Sequence, residues 1–290
     1  MSDKVLVRLY GGIGNQLFQY FAGLNLSLKM NATFQIDFRW LEHQNIDLNS
    51  TILKFEFVDN YGVTIFNVDN PLRYNIERLK TAAARKLPGL GKLMGINAPN
   101  NPFYSALNFA KGDVDLRGYY QSYKYFQEFT NYIFPERINW GLNNPSETYL
   151  SKITDPIFSN FIAIHIRGKD YLNNRNYETL DANYYARTLE NAIKDYKLQP
   201  TIIVFTDDNV YAKRIMNSIN YKYYFAPSGL NAAETLSLMS NAQLLIAANS
   251  TFSYWCGLIN PRLEMLVPQL WFSKYELPSD FYPINWRISN

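Results

Sequence analysis

Within six residues the segment His165-Ile-Arg167-Gly-Lys169-Asp170 sets out an imidazole, a guanidinium, an ammonium and a carboxylate, directly after the apolar run Phe161-Ile-Ala-Ile164. Arginine is planar and permanently charged, and its fork of donors fits the oxygens of a phosphate. Two later stretches have the same form. Thr201-Ile-Ile-Val-Phe205 runs into Thr206-Asp207-Asp208, and Leu244-Leu-Ile-Ala-Ala248 runs into Asn249-Ser250-Thr251-Phe252. Ligands of open α/β sheets bind beyond the carboxyl ends of the strands, so three buried strands with polar ends on one sheet edge would line a groove. Such a groove suits a nucleoside diphosphate. Asp207 offers an acceptor to the base or ribose, while Arg167, Ser250, Thr251 and the helix start behind them offer donors to the phosphates. If a sugar is carried on that diphosphate, cleaving its anomeric bond leaves negative charge on the phosphate. One donor fixed where that charge grows is worth about a hundredfold or more in rate. Arg167 is the residue expected to act so; its alternative role is a plain ion pair with Asp170.

The elements that must hold these groups can be read from periodicity. A chain of 290 residues exceeds what one core usually organises. Two domains are expected, 1–145 and 146–290, with turn formers at Gly141-Leu-Asn-Asn-Pro-Ser146 marking the break. The first opens with a strand, Val5–Leu9, and a glycine-rich turn, Tyr10-Gly-Gly12-Ile-Gly14-Asn15-Gln16. A helix follows, with Leu17, Phe21, Leu24 and Leu28 on one side. The turn departs from the dinucleotide fingerprint, but a helix start presents free N–H groups, and the amides of Asn15 and Gln16 suit sugar hydroxyls. Thr33–Asp37 reads as the next strand, His43 as a residue of a polar loop, and 44–70 as irregular. The second domain alternates helix 147–153, strand 161–166, a helix capped at Asp181-Ala-Asn183, strand 201–205, helix 210–219, strand 223–226, helix 234–239, strand 244–248 and a helix around Trp255. This is an α/β pattern with a parallel sheet.

Three other features call for a choice. Asp113-Val-Asp115 puts two carboxylates on one side of a strand, where they could share a divalent cation, although no third acid stands nearby and a structural role is the simpler reading. From Pro71 to Met94, Arg73, Arg78, Lys80, Arg85, Lys86 and Lys92 interleave with leucines and Ile76. That stretch is either a solvated helix over a core or a peripheral contact with the inner face of a membrane, and Pro88-Gly89 should interrupt it. The small basic excess of +3, without long Lys/Arg runs, disfavours a nucleic-acid partner. A single Cys256 excludes an internal disulfide and a cysteine metal cage, and neither a membrane-spanning apolar run nor a secretion signal is legible. A cytoplasmic protein is expected.

Five segments in one order carry a resemblance: Gly11-Gly-Ile-Gly-Asn-Gln-Leu-Phe-Gln-Tyr20, Gly118-Tyr-Tyr-Gln-Ser-Tyr-Lys-Tyr-Phe126, His165-Ile-Arg-Gly-Lys-Asp-Tyr171, Phe205-Thr-Asp-Asp208 and Ala248-Asn-Ser-Thr-Phe-Ser-Tyr-Trp255. Together they resemble the bacterial α-1,2-fucosyltransferases, from the first strand to Leu270-Trp-Phe272. The resemblance implies a GT-B architecture, two Rossmann-like domains facing a central cleft, with an acceptor-side first domain and GDP-β-L-fucose held mainly by the second. It implies a metal-independent, inverting transfer to the 2-hydroxyl of a terminal galactose, in a surface-polysaccharide or O-antigen type of acceptor, with no cofactor. By the same resemblance Arg167 lies at the pyrophosphate, His165 and Asp207 near the nucleoside, Ser250, Thr251 and Phe252 around the phosphates, and Asn15 near the fucose. Arg167, Asp170 and Asn15 form the expected catalytic set, and Gly12, Gly14, Gln16, Lys169, Thr206 and Asn249 complete the binding set. One departure stands out: the family's His-x-Arg-Arg-x-Asp has Gly168 in place of its second arginine, with Lys169 beside it. A general base could be Asp170, Asp37 or Asp115, and a dissociative reaction needs none. The competing readings are another 6-deoxyhexose nucleotide as donor, a metal-dependent transferase built on Asp113 and Asp115, and a non-catalytic binding module.

Overall fold

The structure is a computed structural model that describes residues 2–43, 46–47, 50–61, 64–65, 71–100, 103–127, 140–169, 177, 179–196, 201–273 and 275–289. Two compact units divide the chain, Met1–Asn143 and Asn144–Asn290. Each is a parallel sheet with helices, the Rossmann-like pattern.

In the first unit the strands are β1 (Lys4–Arg8), β2 (Thr33–Asp37), β3 (Thr64–Ile65), β4 (Ile96–Asn97) and β5 (Val114–Leu116), in the order β3-β2-β1-β5-β4. Every pairing is parallel. Between β1 and β2 runs α1 (Ile13–Met30), whose apolar side lies on the sheet. Its approach to β1 is close enough that a Cβ on Gly23 would stand 2.0 Å from Val7 Cγ2. The helix ends at Asn31, in the left-handed region at φ 50, whose N–H closes on the carbonyls of Ser27 and Leu28. Around α1 gather Tyr20, Phe21, Phe55, Phe57, Phe126 and Trp140, ring against ring. Part of the high aromatic content of the sequence is spent here.

Two expectations change in this unit. Residues 44–70 carry short elements, the 3-10 turns Ile52–Lys54 and Glu56–Tyr61 and strand β3, and His43 closes a helical turn, α2 (Arg39–His43). Elements of two to six residues leave no periodicity for a sequence reading to detect. The basic stretch forms α3 (Pro71–Lys86) and α4 (Pro88–Leu93), broken at Leu87 because Pro88 opens a new helix. Its leucines from Leu79 onward do not face a core. Leu79, Leu87 and Leu93 are 71%, 59% and 88% exposed, while Glu77, Thr81 and Ala84 are buried.

The second unit holds β6 (Phe161–Ile166), β7 (Thr201–Thr206), β8 (Tyr223–Phe225), β9 (Leu244–Ile246), β10 (Glu264–Pro268) and β11 (Arg287–Ser289), in the order β11-β10-β9-β6-β7-β8. All its pairings are parallel. Its helices are α5 (Glu147–Ile153), α6 (Ala182–Tyr196), α7 (Asn209–Met216), α8 (Ala232–Ser240) and α9 (Thr251–Ile259). Strand β6 is buried along its whole length, as its unbroken apolar run foretells. One core joins Ile162, Ile164 and Ile166 to Val204, Ile246 and Leu266 across the sheet and to Tyr185 and Leu189 of α6. Helix α8 begins in a capping box between Asn231 and Glu234, and Glu234 also accepts from the Ser146 N–H at 2.6 Å. Strands β10 and β11 lie beyond the elements expected from sequence.

Candidate active site

Strand order brings the polar ends together in the second unit. β7, β6 and β9 are neighbours and parallel, with His165 opposite Phe205, Ile166 opposite Thr206 and Ile164 opposite Ile246. Thr206-Asp207-Asp208, His165-Ile-Arg167 and Asn249-Ser250-Thr251 therefore leave one edge side by side. Arg167 emerges there with its side chain 30% exposed, and its Nη1 lies 2.6 Å from Asp207 Oδ2. The other oxygen of Asp207 accepts the Gly168 N–H at 2.8 Å. A carboxylate bridging two atoms of the adjacent loop fixes where the guanidinium points.

The structure gives several of the residues read from sequence a protein partner. Asp207, expected as an acceptor for the nucleoside, pairs with Arg167; Asp170, expected in the catalytic set and as the alternative ion-pair partner of Arg167, lies outside the described residues. Gly168 has no room for a side chain, because a Cβ there would fall 2.5 Å from Asp208 Cβ. The arginine missing from the family pattern thus coincides with a tight contact to the cap of α7, where Asp208 accepts the N–H groups of Val210 and Tyr211. Lys169 is exposed, with φ at 21. Thr206 is occupied in a local turn, its hydroxyl bonded to the backbone of Asp208.

His165 is buried, its ring 5.6 Å from that of Phe252, and its Nδ1 has no hydrogen-bond partner among the described residues. Burial, with Arg167 adding to it, pushes its pKa down to about 3, so the imidazole is neutral near pH 7. Ser250 caps α9 by accepting the Phe252 N–H at 3.3 Å, while Thr251 begins the helix. Asn249 is buried, and its amide donates to the Trp271 carbonyl at 3.0 Å. It joins two segments, ahead of the substrate contact expected of it. Trp271 borders a cavity of about 790 Å³, whose walls include Phe272, Tyr275, Tyr282 and Trp286. The sequence reading had taken Leu270-Trp-Phe272 only as the end of a resemblance.

The glycine-rich turn of the first unit is also specific in its geometry. Gly11 sits at φ 77, and a Cβ on it would stand 2.8 Å from Asn15 Nδ2. Gly12 is the exposed N-cap of α1 and brings no capping side chain, whereas Gly14 is buried in the first turn. Asn15 Oδ1 accepts from Gln121 Nε2 at 2.8 Å, so the Gly118–Phe126 segment positions the first motif. Gln16 is buried and spent: its amide donates to the Gly11 carbonyl and accepts from the Ile52 N–H. It shapes the turn in addition to the sugar contact expected of it.

Beside that turn the carboxyl ends of β1, β2 and β5 meet in a buried ion network. Arg8 lies 3.0 Å from Asp37, 2.9 Å from Glu77 and 2.8 Å from Asp115, and Arg117 reaches Glu77 at 2.7 Å and Asp115 at 2.5 Å. Burial pulls the pKa of Asp115 upward, yet the hydrogen bonds from Arg8 and Arg117 outweigh it and hold the carboxylate below its ordinary value. Asp115 is thus engaged by two guanidiniums, and Asp113 accepts the Lys4 N–H, which is the structural alternative for this pair. Asp37 is likewise held by Arg8 and Arg39, so neither Asp37 nor Asp115 is free to serve as a general base. Over the network lies a cavity of about 230 Å³ lined by Arg8, Tyr10, Trp40, Thr81, Arg85, Arg117 and Tyr119. The Arg85 Nε is buried there without a hydrogen-bond partner among the described residues, and the Tyr10 hydroxyl faces the Arg85 guanidinium. Sequence reasoning missed this pocket; the signal available was Arg8 at a strand end, before Tyr10.

Comparison with known proteins agrees with this picture. The sequence model of glycosyl transferase family 11 matches residues 116–289. An α-1,2-colitosyltransferase of Escherichia coli is 28% identical over 97% of this chain and 97% of its own. The O-antigen biosynthesis glycosyltransferase WbnK of Escherichia coli is 28% identical over 91% of this chain and 94% of its own. Among solved structures, NodZ of Bradyrhizobium, an α-1,6-fucosyltransferase in a crystal soaked with GDP-fucose, superposes with a TM-score of 0.54 at 15% identity, covering 91% of this chain and 94% of its own. The fold is that of the GT-B fucosyltransferases, two Rossmann-like units in one chain.

Proposed function

The chain belongs to glycosyl transferase family 11 and is a glycosyltransferase, and from that premise we propose that it moves L-fucose from GDP-β-L-fucose, with inversion, to the 2-hydroxyl of a terminal galactose in an O-antigen type of glycan. The observation that carries this reading is the Arg167 guanidinium, clamped by Asp207 at a sheet edge between the β7 and β9 motifs. In the proposed complex Arg167 takes the pyrophosphate charge, which grows as the anomeric bond breaks. A donor already fixed in place needs no reorganisation at that moment. The Ser250 hydroxyl, Thr251 and the N-terminus of α9 share the phosphate oxygens. His165 and Phe252 face the nucleoside, and the neutral imidazole avoids repelling Arg167. The aromatic cavity around Trp271 suits a purine, which stacks on flat apolar walls.

On the acceptor side, the pocket of Tyr10, Trp40, Arg85 and Tyr119 combines aromatic faces with a phenol and a guanidinium, the pairing that suits a sugar ring. Asn15, held by Gln121, is assigned to the transferred sugar. The reaction in this reading uses no metal, since Asp115 is committed to Arg8 and Arg117. With Asp37 and Asp115 ion-paired, the acceptor proton goes either to Asp170 or to the departing phosphate.

A second donor is favoured by the 28% identical relative, whose name assigns it colitose. The test is to incubate the protein with GDP-fucose or a colitose donor and a panel of galactosides, with and without a chelator, and to determine product linkage. The expected result is an α-1,2-linked fucoside formed equally with and without chelator. Preference for the colitose donor moves the assignment to that sugar, and loss of turnover with chelator contradicts the metal-free reading.

A further inference from the structure

Helices α3 and α4 are docked the wrong way round for an ordinary surface helix. The inward side of α3 is largely polar, since Glu77 reaches Arg8 and Arg117 and Thr81 accepts from Arg117 at 2.9 Å, and only the small Ala84 and, on α4, Gly91 are buried beside them. The apolar side is left facing solvent. Ile76, Leu79, Leu87, Leu90, Leu93 and Met94 are all exposed, Leu93 at 88%. Ile76 and Leu79 lie three residues apart on α3, Leu87 stands at the break, and Leu90, Leu93 and Met94 follow at three and four, so exposed apolar side chains occur on both helices. Exposed apolar surface of this kind marks an interaction site.

The charge beside these side chains says what covers them. Residues 71–94 hold six lysines and arginines and a single acid, Glu77, which is buried in the ion network. The whole chain has an excess of only +3, so this segment carries more than the entire surplus. Lys80, Lys86 and Lys92 are exposed next to the leucines. Leucines flanked by lysines on two short helices match the boundary of an anionic bilayer, where the apolar side chains sit among the upper acyl carbons and the ammonium groups meet lipid phosphates. Among the described residues no helix is long and apolar enough to cross a membrane, and an interfacial helix need not be. We infer that the α3–α4 face docks this protein on an anionic lipid bilayer. The inference is independent of which sugar is transferred.

Co-sedimentation of the full chain with phosphatidylcholine vesicles, with and without phosphatidylglycerol, tests it. Binding is expected only with phosphatidylglycerol and should weaken as salt rises. A Leu79→Ser/Leu93→Ser double variant, altered only at exposed positions, should bind about tenfold more weakly or worse, with unchanged far-ultraviolet circular dichroism. A Lys86→Glu/Lys92→Glu variant should lose the preference for anionic vesicles. Absence of binding by the unaltered protein, or equal binding by the leucine variant, overturns the proposal. So does a dimer that the leucine variant makes monomeric while vesicles bind neither, which would assign the face to a second copy of the chain.

Discussion

At the level of single residues, a guanidinium is useful only if something decides where it points. For Arg167 that is Asp207, at 2.6 Å, just past the end of the neighbouring strand. A sequence shows that a strand ends in arginine; it does not show which of several nearby carboxylates faces it, and Asp170 looked the nearer choice. His165 illustrates the same limit. Its position in an apolar run was legible, whereas its isolation, with Nδ1 unpartnered and Arg167 close by, depends on the packed sheet. A pH effect follows from that isolation. The folded-state pKa of about 3 lies below the ordinary 6.5, so the unfolded chain binds the proton first and stability falls as pH drops from about 6.5 towards 3. By pH 5 the cost from this residue is about 2 kcal/mol. Urea midpoints at pH 7 and pH 5 should therefore differ less for His165→Phe than for the unaltered chain, and equal differences would deny the histidine its part.

Secondary-structure elements were more readable than their contacts. Strands β1, β2, β6 and β7 announce themselves as β-branched runs, and α1 by the spacing of Leu17, Phe21 and Leu24. Helix α3 was read from the same kind of spacing with the opposite outcome, because its anchor is the network of Arg8, Glu77, Asp115 and Arg117 drawn from separate elements. Periodicity reports which residues share a face and is silent on which face the rest of the chain will cover. Close approach is equally hidden. Gly23 lies mid-helix, where alanine is ordinarily better by about 1 kcal/mol. Here Val7 and Phe34 occupy the space at 2.0 and 2.9 Å, so Gly23→Ala should destabilise the protein by about 2 kcal/mol or more. Chemical denaturation reads the sign directly: a rise in midpoint would mean that α1 has room to move off β1.

For the molecule as a whole, the two-unit α/β organisation could be inferred from sequence because the alternation of strand and helix repeats on either side of the turn-rich stretch at 141–146. The edge strand β11 could not, since it is three residues of mixed character paired through Leu266–Pro268 of β10. Nor could the pocket of Tyr10, Trp40, Arg85 and Tyr119, which assembles from elements far apart in sequence. What the parts have in common is a division of labour: rigid parallel strands deliver a few polar ends to one edge, and neighbouring strands fix those ends in place. The central claim is that Arg167, so fixed, carries the charge of the departing diphosphate. Its most direct test compares transfer by Arg167→Ala with that of the unaltered enzyme at saturating donor, with circular dichroism to verify the fold. A fall of about a hundredfold or more in kcat with the fold intact is the predicted result; an unchanged kcat would contradict the account.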